Sequence, residues 1–63
     1  MKVLIYSEQT PDGKATDWPA IPPIGSWVRF DHRGGTDNLQ VERTDWNVGT
    51  DGAFDHVEVH LTF

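Results

Sequence analysis

His56, Glu58 and His60 are the residues of this chain whose types and spacing could do chemistry. Because they alternate with apolar residues, a β-strand would place all three side chains on one face. Two imidazoles and a carboxylate form a legitimate ligand set for zinc. A metal site would also need further ligands or supporting partners, and Asp31 and His32 could supply one if their strand or turn lies close.

The same three positions have a simpler interpretation, in which they form the solvated face of a half-exposed strand. Val57, Val59 and Leu61 would then bury the opposite face of that strand. This interpretation requires neither an ion nor supporting partners. We therefore expect no cofactor, and a metal site on these three polar residues is the alternative.

Other catalytic arrangements find little support in the sequence. Ser7 and Ser26 are the only serines, neither lies in a Gly-x-Ser-x-Gly elbow, and the chain has no cysteine. Asp51 and Gly52 are explained more simply by a turn than by calcium binding, since the spaced ligands of an EF-hand are missing. A domain of 63 residues also has little room for a buried substrate. We therefore expect a non-enzymatic protein.

Four or five strands are needed to position these residues. Apolar and aromatic density predicts a strand over residues 2–8, and alternation predicts further strands over 27–31, 38–48 and 54–63. Glycine-containing turns separate the last three of these strands. The inward phase changes within the third strand, which predicts a β-bulge around residues 43–45. No window has helical periodicity, so the expected fold is all-β, a small antiparallel barrel or roll.

Alternation also predicts which side chains form the core. In the second strand, Val28 and Phe30 share the inward face, which leaves Trp27 on the other face. Trp46 is expected in the core because large rings are usually mostly buried. In the last strand, the residues predicted to face inward are Val57, Val59, Leu61 and Phe63.

A Pro-rich loop is predicted at about residues 10–25, within a single domain that spans residues 1–63. The four prolines of the chain all lie in this loop. Proline lacks a backbone N–H and favours extended geometry, and the segment has no regular apolar period. Trp18 and Ile21 are expected to pin the loop to the rest of the fold.

The charge balance is acidic and argues against nucleic acid as a partner. Ten Asp and Glu residues outnumber five Lys and Arg residues, so the net charge is -5. Neutralising phosphates requires clustered cations, whereas the cations of this chain are scattered among carboxylates. The longest apolar run, residues 3–6, is far shorter than the roughly 20 residues of a membrane-spanning helix. We therefore expect no membrane association and a cytoplasmic location.

The segment that leads into the second strand carries the motif Pro-x-Ile-Pro-x-Ile-Gly-x-x-Val. Its residues are Pro19, Ile21, Pro22, Ile24, Gly25 and Val28. Through this motif the chain resembles SH3-like small barrels, and in particular short uncharacterised proteins of phages and prophages. The resemblance implies a small antiparallel SH3-like barrel or roll of four to five strands, and it implies no site. The acidic loop and paired aromatics of peptide-binding SH3 domains are missing, so we do not expect Pro-rich peptides to bind.

Protein binding is the function that these exclusions leave. Trp and Arg dominate protein interfaces, so Trp18, Trp27 and Arg29 are the expected contact residues. Asp31 and Asp37 are expected to add acidic charge that attracts a basic partner. Trp18 could instead plug one end of the fold, and Trp27 could be covered. Together with the resemblance, this suggests a phage or prophage accessory protein that docks on a larger protein in the host cytoplasm. In its sharper form, the hypothesis is an inhibitor of a bacterial defence complex.

The rival hypothesis is a metal-binding or nucleic-acid-binding small barrel, since such barrels carry both kinds of site on one frame. Zinc binding that is lost in His56→Ala would support its metal form. Self-association is a further expectation, because residues 57–63 could expose a strand edge that pairs with a second copy.

Overall fold

Five β-strands make up the regular structure of the chain. The structure is a computed structural model that describes residues 1–63, apart from the side chain of His32. The strands are β1 (Lys2–Tyr6), β2 (Lys14–Asp17), β3 (Trp27–His32), β4 (Gly35–Val48) and β5 (Phe54–Thr62). They form a single sheet in the order β2-β1-β5-β4-β3, which curls into a half-barrel. β5 is paired on both sides, so the prediction that residues 57–63 expose a strand edge is wrong. The predicted all-β class and the number of strands are confirmed.

The sheet is mixed, so the prediction of a purely antiparallel sheet is wrong. β1 pairs with β5 in parallel, from Val3 opposite Val57 to Tyr6 opposite His60. The other three pairings are antiparallel. A parallel pair needs a long crossover, and here β2, β3 and β4 all lie between the two paired strands. Because no tight turn joins β1 to β5, the local pattern of neither strand determines their relative direction.

β2 lies inside the segment predicted as an irregular loop. It pairs antiparallel with β1, so that Lys2 is opposite Asp17 and Ile5 is opposite Lys14. A turn closes the hairpin, in which the N–H of Gly13 donates to the carbonyl of Thr10 at 3.1 Å. β2 is a four-residue edge strand and is mostly exposed, so it has no apolar alternation by which to predict it.

The core lies on one face of the sheet. Its buried residues are Val3, Ile5, Leu39, Val41, Val57, Val59 and Leu61. Trp18 and Ile21 of the Pro-rich loop pack against this face, as do Val28 and Phe30 of β3. The predicted pinning of the loop and the predicted inward faces of β3 and β5 are therefore confirmed. Phe63 is the exception: it follows the last residue of β5 and is 61% exposed.

A β-bulge in β4 changes which side chains in the second half of this long strand lie on the core side of the sheet. Val41 is opposite Leu61 and Arg43 is opposite His60, so Glu42 is the extra residue. The bulge lies one residue before its predicted position, and it places Trp46 opposite Val57. The prediction that Trp46 belongs to the core is nevertheless wrong, because its side chain is 55% exposed. Among the described strands, β3 accompanies β4 only as far as Gln40, so no strand flanks Trp46 on that side.

Candidate functional site

The outer face of β5 carries the polar residues singled out by their spacing. His56, Glu58 and His60 are half-buried and alternate with buried apolar residues, as the sequence predicts. β4 adds polar residues directly opposite them, with Asp45 paired to Glu58 and Asn47 paired to His56. We call the group on this face the outer-face cluster. It consists of Arg43, Asp45, Asn47, His56, Glu58 and His60.

Three side chains of the outer-face cluster converge on one point. The Nε2 atom of His60 lies 3.4 Å from Oδ2 of Asp45 and 3.6 Å from Oε1 of Glu58. One ligand atom from each of the three residues lies within 4.8 Å of the others. The spacing along the strand groups His60 and Glu58 with His56 and gives no indication of Asp45. A cross-strand partner can be identified only once the register of the two strands is known.

Arg43 supplies a positive charge at this point. Its Nε atom donates to Oδ2 of Asp45 at 3.1 Å, and its Nη2 atom lies 3.3 Å from Nε2 of His60. Because a guanidinium can only donate, the Nε2 atom of His60 accepts this hydrogen bond and directs its lone pair into the cluster. The Arg43 side chain is 63% exposed, so solvent screens the contact and the side chain is free to move away.

His56 contacts the carboxylate oxygen of Glu58 that is not directed toward His60. The Nδ1 atom of His56 lies 2.5 Å from Oδ2 of Asp55, and its Nε2 atom lies 3.5 Å from Oε2 of Glu58. Asn47 also donates to Oε2 of Glu58, at 3.4 Å. The hydrogen bond from His56 lowers the pKa of the Asp55 carboxyl below its usual value of 3.8, with smaller help from the charges of His56 and Lys2 and against desolvation.

Tyr6 of β1 fixes the plane of the His60 ring. The two rings stack with their centroids 5.0 Å apart and an interplanar angle of 12°. On its other side the Tyr6 ring meets the β1–β2 turn, where a methyl group at Gly13 would lie 2.9 Å from the Cζ atom. The position of His60 therefore depends on the absence of a side chain at Gly13.

The predicted interface residues do not form one surface. Trp27, Arg29 and Asp31 are exposed and alternate along one face of β3, and the Trp27 side chain is 63% exposed. Asp37 lies opposite Phe30, on the other face, and accepts a hydrogen bond from Gln9 at 2.6 Å. Trp18 packs against the core and is half-buried, as in the alternative interpretation of that residue. The side chain of His32, considered above as a further ligand, lies outside the described residues.

The structure exposes an apolar surface that the sequence analysis missed. Trp46, Val48 and Phe54 lie near the end of the β4–β5 hairpin and are 55%, 58% and 44% exposed. The rings of Trp46 and Phe54 meet edge to face, with centroids 5.8 Å apart. We call these three residues the hairpin patch. The lengths of the predicted strands indicated this exposure, because the third predicted strand is longer than the second and its last residues therefore have no neighbour on that side.

An apolar groove also runs along the Pro-rich loop. Residues 18–23 and Val28 line it, and its volume is about 440 Å³. A second depression, of about 250 Å³, lies beside the outer-face cluster and is lined by Glu42, Arg43 and His60.

The comparisons with known proteins identify no relative: no family model matches the chain, and no curated protein or solved structure matches it. In the part of the chain that the structure describes, no helix has the length and apolar character needed to cross a membrane.

Proposed function

We propose that this chain is a non-enzymatic protein-interaction module that docks on a larger protein through its hairpin patch. The observation that carries the proposal is the exposure of Trp46, Val48 and Phe54 side by side at one end of a hairpin. Contiguous exposed apolar side chains are typical of interaction surfaces, and Trp is enriched among the residues that dominate binding energy.

The exposed rings of the hairpin patch could anchor a larger contact. An aromatic side chain can bury roughly 150–250 Å², and about half of each ring of the patch is still exposed. At about 25 cal/mol per Å², covering both rings would contribute roughly 5 kcal/mol before the costs of association. That contribution would anchor an interface but would need polar contacts around it.

The charge around the patch indicates a basic partner. Residues 46–56 include Asp51 and Asp55 but neither Lys nor Arg, within a chain whose net charge is -5. Acidic charge around an apolar centre accelerates encounter with a basic surface and disfavours acidic partners. A basic surface that normally holds nucleic acid fits this description. Together with the resemblance of the Pro-rich motif to phage and prophage proteins, this charge extends the proposal to an accessory protein that inhibits a bacterial defence complex in the cytoplasm.

The turn that presents the patch is preorganised. The N–H of Gly49 donates to the carbonyl of Ala53 and the N–H of Gly52 donates to the carbonyl of Gly49, both at 2.9 Å. The Asp51 carboxylate accepts the N–H of Ala53, also at 2.9 Å. Because the turn is already ordered by these bonds, association would lose less conformational entropy.

The experiment that tests the proposal compares two tryptophans that are exposed to a similar extent. Tagged wild type, the double variant Trp46→Ala with Phe54→Ala, and the control Trp27→Ala are used to capture partners from bacterial lysate with and without nuclease treatment. We expect wild type and Trp27→Ala to retain the same partner and the double variant to lose it. Binding of the purified partner should then weaken as salt is raised.

The proposal fails if the captured protein is retained by the double variant or disappears with nuclease treatment. Equal loss in the double variant and in Trp27→Ala would also contradict it, because the contact would then not depend on the hairpin patch. Urea unfolding of each variant checks that lost binding does not reflect lost folding.

A further inference from the structure

We propose that Asp45, Glu58 and His60 bind a divalent transition-metal ion of the zinc type on the outer face of the sheet. The three residues come from two neighbouring strands, and their ligand atoms lie within 4.8 Å of one another. Two carboxylate oxygens and one imidazole nitrogen are all accepted ligands of zinc. This site is independent of the hairpin patch and of any protein partner.

The two separations that involve His60 already fit a tetrahedral ion. With bonds of about 2.1 Å, two ligand atoms of a tetrahedral zinc site lie about 3.4 Å apart. The Nε2 atom of His60 lies 3.4 Å from Oδ2 of Asp45 and 3.6 Å from Oε1 of Glu58. Both distances agree with this value to within about 0.2 Å. Three protein ligands would leave the fourth position to water.

The charges at this point also favour a cation. Two carboxylates and the lone pair of His60 converge, and the cation that contacts them is Arg43. Arg43 is 63% exposed at its side chain, so it can swing into solvent when an ion enters. A divalent metal ion would replace the delocalised single positive charge of the Arg43 guanidinium with a charge of +2 on one atom at bonding distance from the ligands. Arg43 therefore competes with the metal and does not help to bind it.

Neighbouring side chains restrain two of the three ligands, Glu58 and His60. Oε2 of Glu58 contacts His56 at 3.5 Å and Asn47 at 3.4 Å, which leaves Oε1 directed toward His60. Asp55 holds Nδ1 of His56 at 2.5 Å, so Nε2 faces Glu58. The Tyr6 ring stacked on His60 restrains the third ligand.

The ligand types indicate which ions would bind. Mg²⁺ and Ca²⁺ prefer oxygen ligands throughout, whereas imidazole suits Zn²⁺, Ni²⁺ and Cu²⁺. The chain has no cysteine, so a thiolate site for softer ions is excluded. We therefore take Zn²⁺ as the probe and Mg²⁺ as the ion expected not to bind.

The test is a calorimetric titration of the tag-free full chain with zinc chloride. We expect one Zn²⁺ per chain, and we expect Glu58→Gln and His60→Ala each to weaken binding by at least about tenfold. Glu8→Gln, which removes the same charge at an exposed loop position outside the cluster, should leave the affinity unchanged. Arg43→Gln should raise the affinity by about two- to fivefold, the range for removing an exposed ion pair. Magnesium chloride should give no saturable binding.

A second readout requires no variant of the cluster. In NMR spectra of the wild type, substoichiometric zinc should move the imidazole signals of His60 in proportion to occupancy, and His32→Ala should bind as wild type does. The proposal is overturned if zinc does not saturate a single site, if Glu58→Gln binds as tightly as Glu8→Gln, or if His32→Ala abolishes binding.

Discussion

Replacing Gly13 by alanine should test how the β1–β2 turn supports the His60 side of the sheet. Gly13 has a φ of 85°, in the left-handed region that L residues avoid. Forcing alanine into this region costs about 1–2 kcal/mol. The added methyl group would also lie 2.9 Å from Cζ and 3.0 Å from Cε1 of Tyr6, closer than the roughly 3.5–4.0 Å of an ordinary carbon contact. The Tyr6 ring would therefore have to move.

Gly52 separates these two costs. Its φ is 83°, nearly the same as at Gly13, but a methyl group added there meets no atom within 4 Å among the described residues. Gly52→Ala should therefore cost only the backbone term, about 1–2 kcal/mol. Overpacking costs about 1–3 kcal/mol, and we take the lower end because Tyr6 is only half-buried. Gly13→Ala should then be the less stable variant by about 1 kcal/mol, or about 4–8 °C in Tm.

The assay is urea unfolding followed by tryptophan fluorescence, with the slope m compared among variants to confirm that the unfolded states match. Combining each change with Tyr6→Ala completes a double-mutant cycle, in which the excess cost of Gly13→Ala should disappear. Equal destabilisation by Gly13→Ala and Gly52→Ala in the presence of Tyr6 would refute the reasoning. The displaced ring should also weaken zinc binding in Gly13→Ala and not in Gly52→Ala.

Three further outcomes follow from the same structure. Val59→Ala removes two fully buried methyl groups and should cost about 2–3 kcal/mol in urea unfolding, whereas Val48→Ala, at a side chain that is 58% exposed, should cost under about 0.5 kcal/mol. Trp46→Ala should cost less than the roughly 3–5 kcal/mol of removing a fully buried ring, and a loss in that range in urea unfolding would place its ring in the core. The lowered pKa of Asp55 means that its charged form stabilises the fold above the unfolded pKa near 3.8, and that this stability is lost as the pH falls through the lower folded pKa. Wild type should therefore exceed Asp55→Asn in stability above pH 4 and lose that advantage in more acidic solution, as unfolding at a series of pH values would reveal; an advantage independent of pH would contradict this origin.

Much of the fold could be predicted because β5 obeys simple alternation. Val57, Val59 and Leu61 are buried, and the polar residues between them lie on the opposite face. The bulge in β4 was also predictable, because the apolar phase of that strand changes near Glu42. In both cases the signal is local and repeats along one strand, so no knowledge of neighbouring strands is needed.

The incorrect predictions have a common physical origin. Each concerns a property that depends on the neighbouring strand and not on the pattern along one strand. Trp46 has the phase of a core residue, but β3 is too short to flank it. The direction of β1 relative to β5 depends on the whole crossover between them. Asp45 joins Glu58 and His60 only through the register of β4 on β5. The candidate site therefore depends on which residues of neighbouring strands lie side by side. Alternation along a single strand does not predict this.

The central place of β5 has a consequence for how the chain folds. The β1–β2 hairpin and the β3–β4 hairpin have no strand pairing with each other among the described residues, and their strands are joined through β5. A hydrogen bond from Gln9 to Asp37 also links the β1–β2 turn to β4. A two-stranded hairpin alone is marginally stable in water, so neither half should persist before β5 arrives. During synthesis, residues 2–48 would therefore form at most two marginally stable hairpins until residues 54–62 have been synthesised. Joining β1 to β5 across more than half of the sequence is then the slow event, and it makes formation of the native state all-or-none.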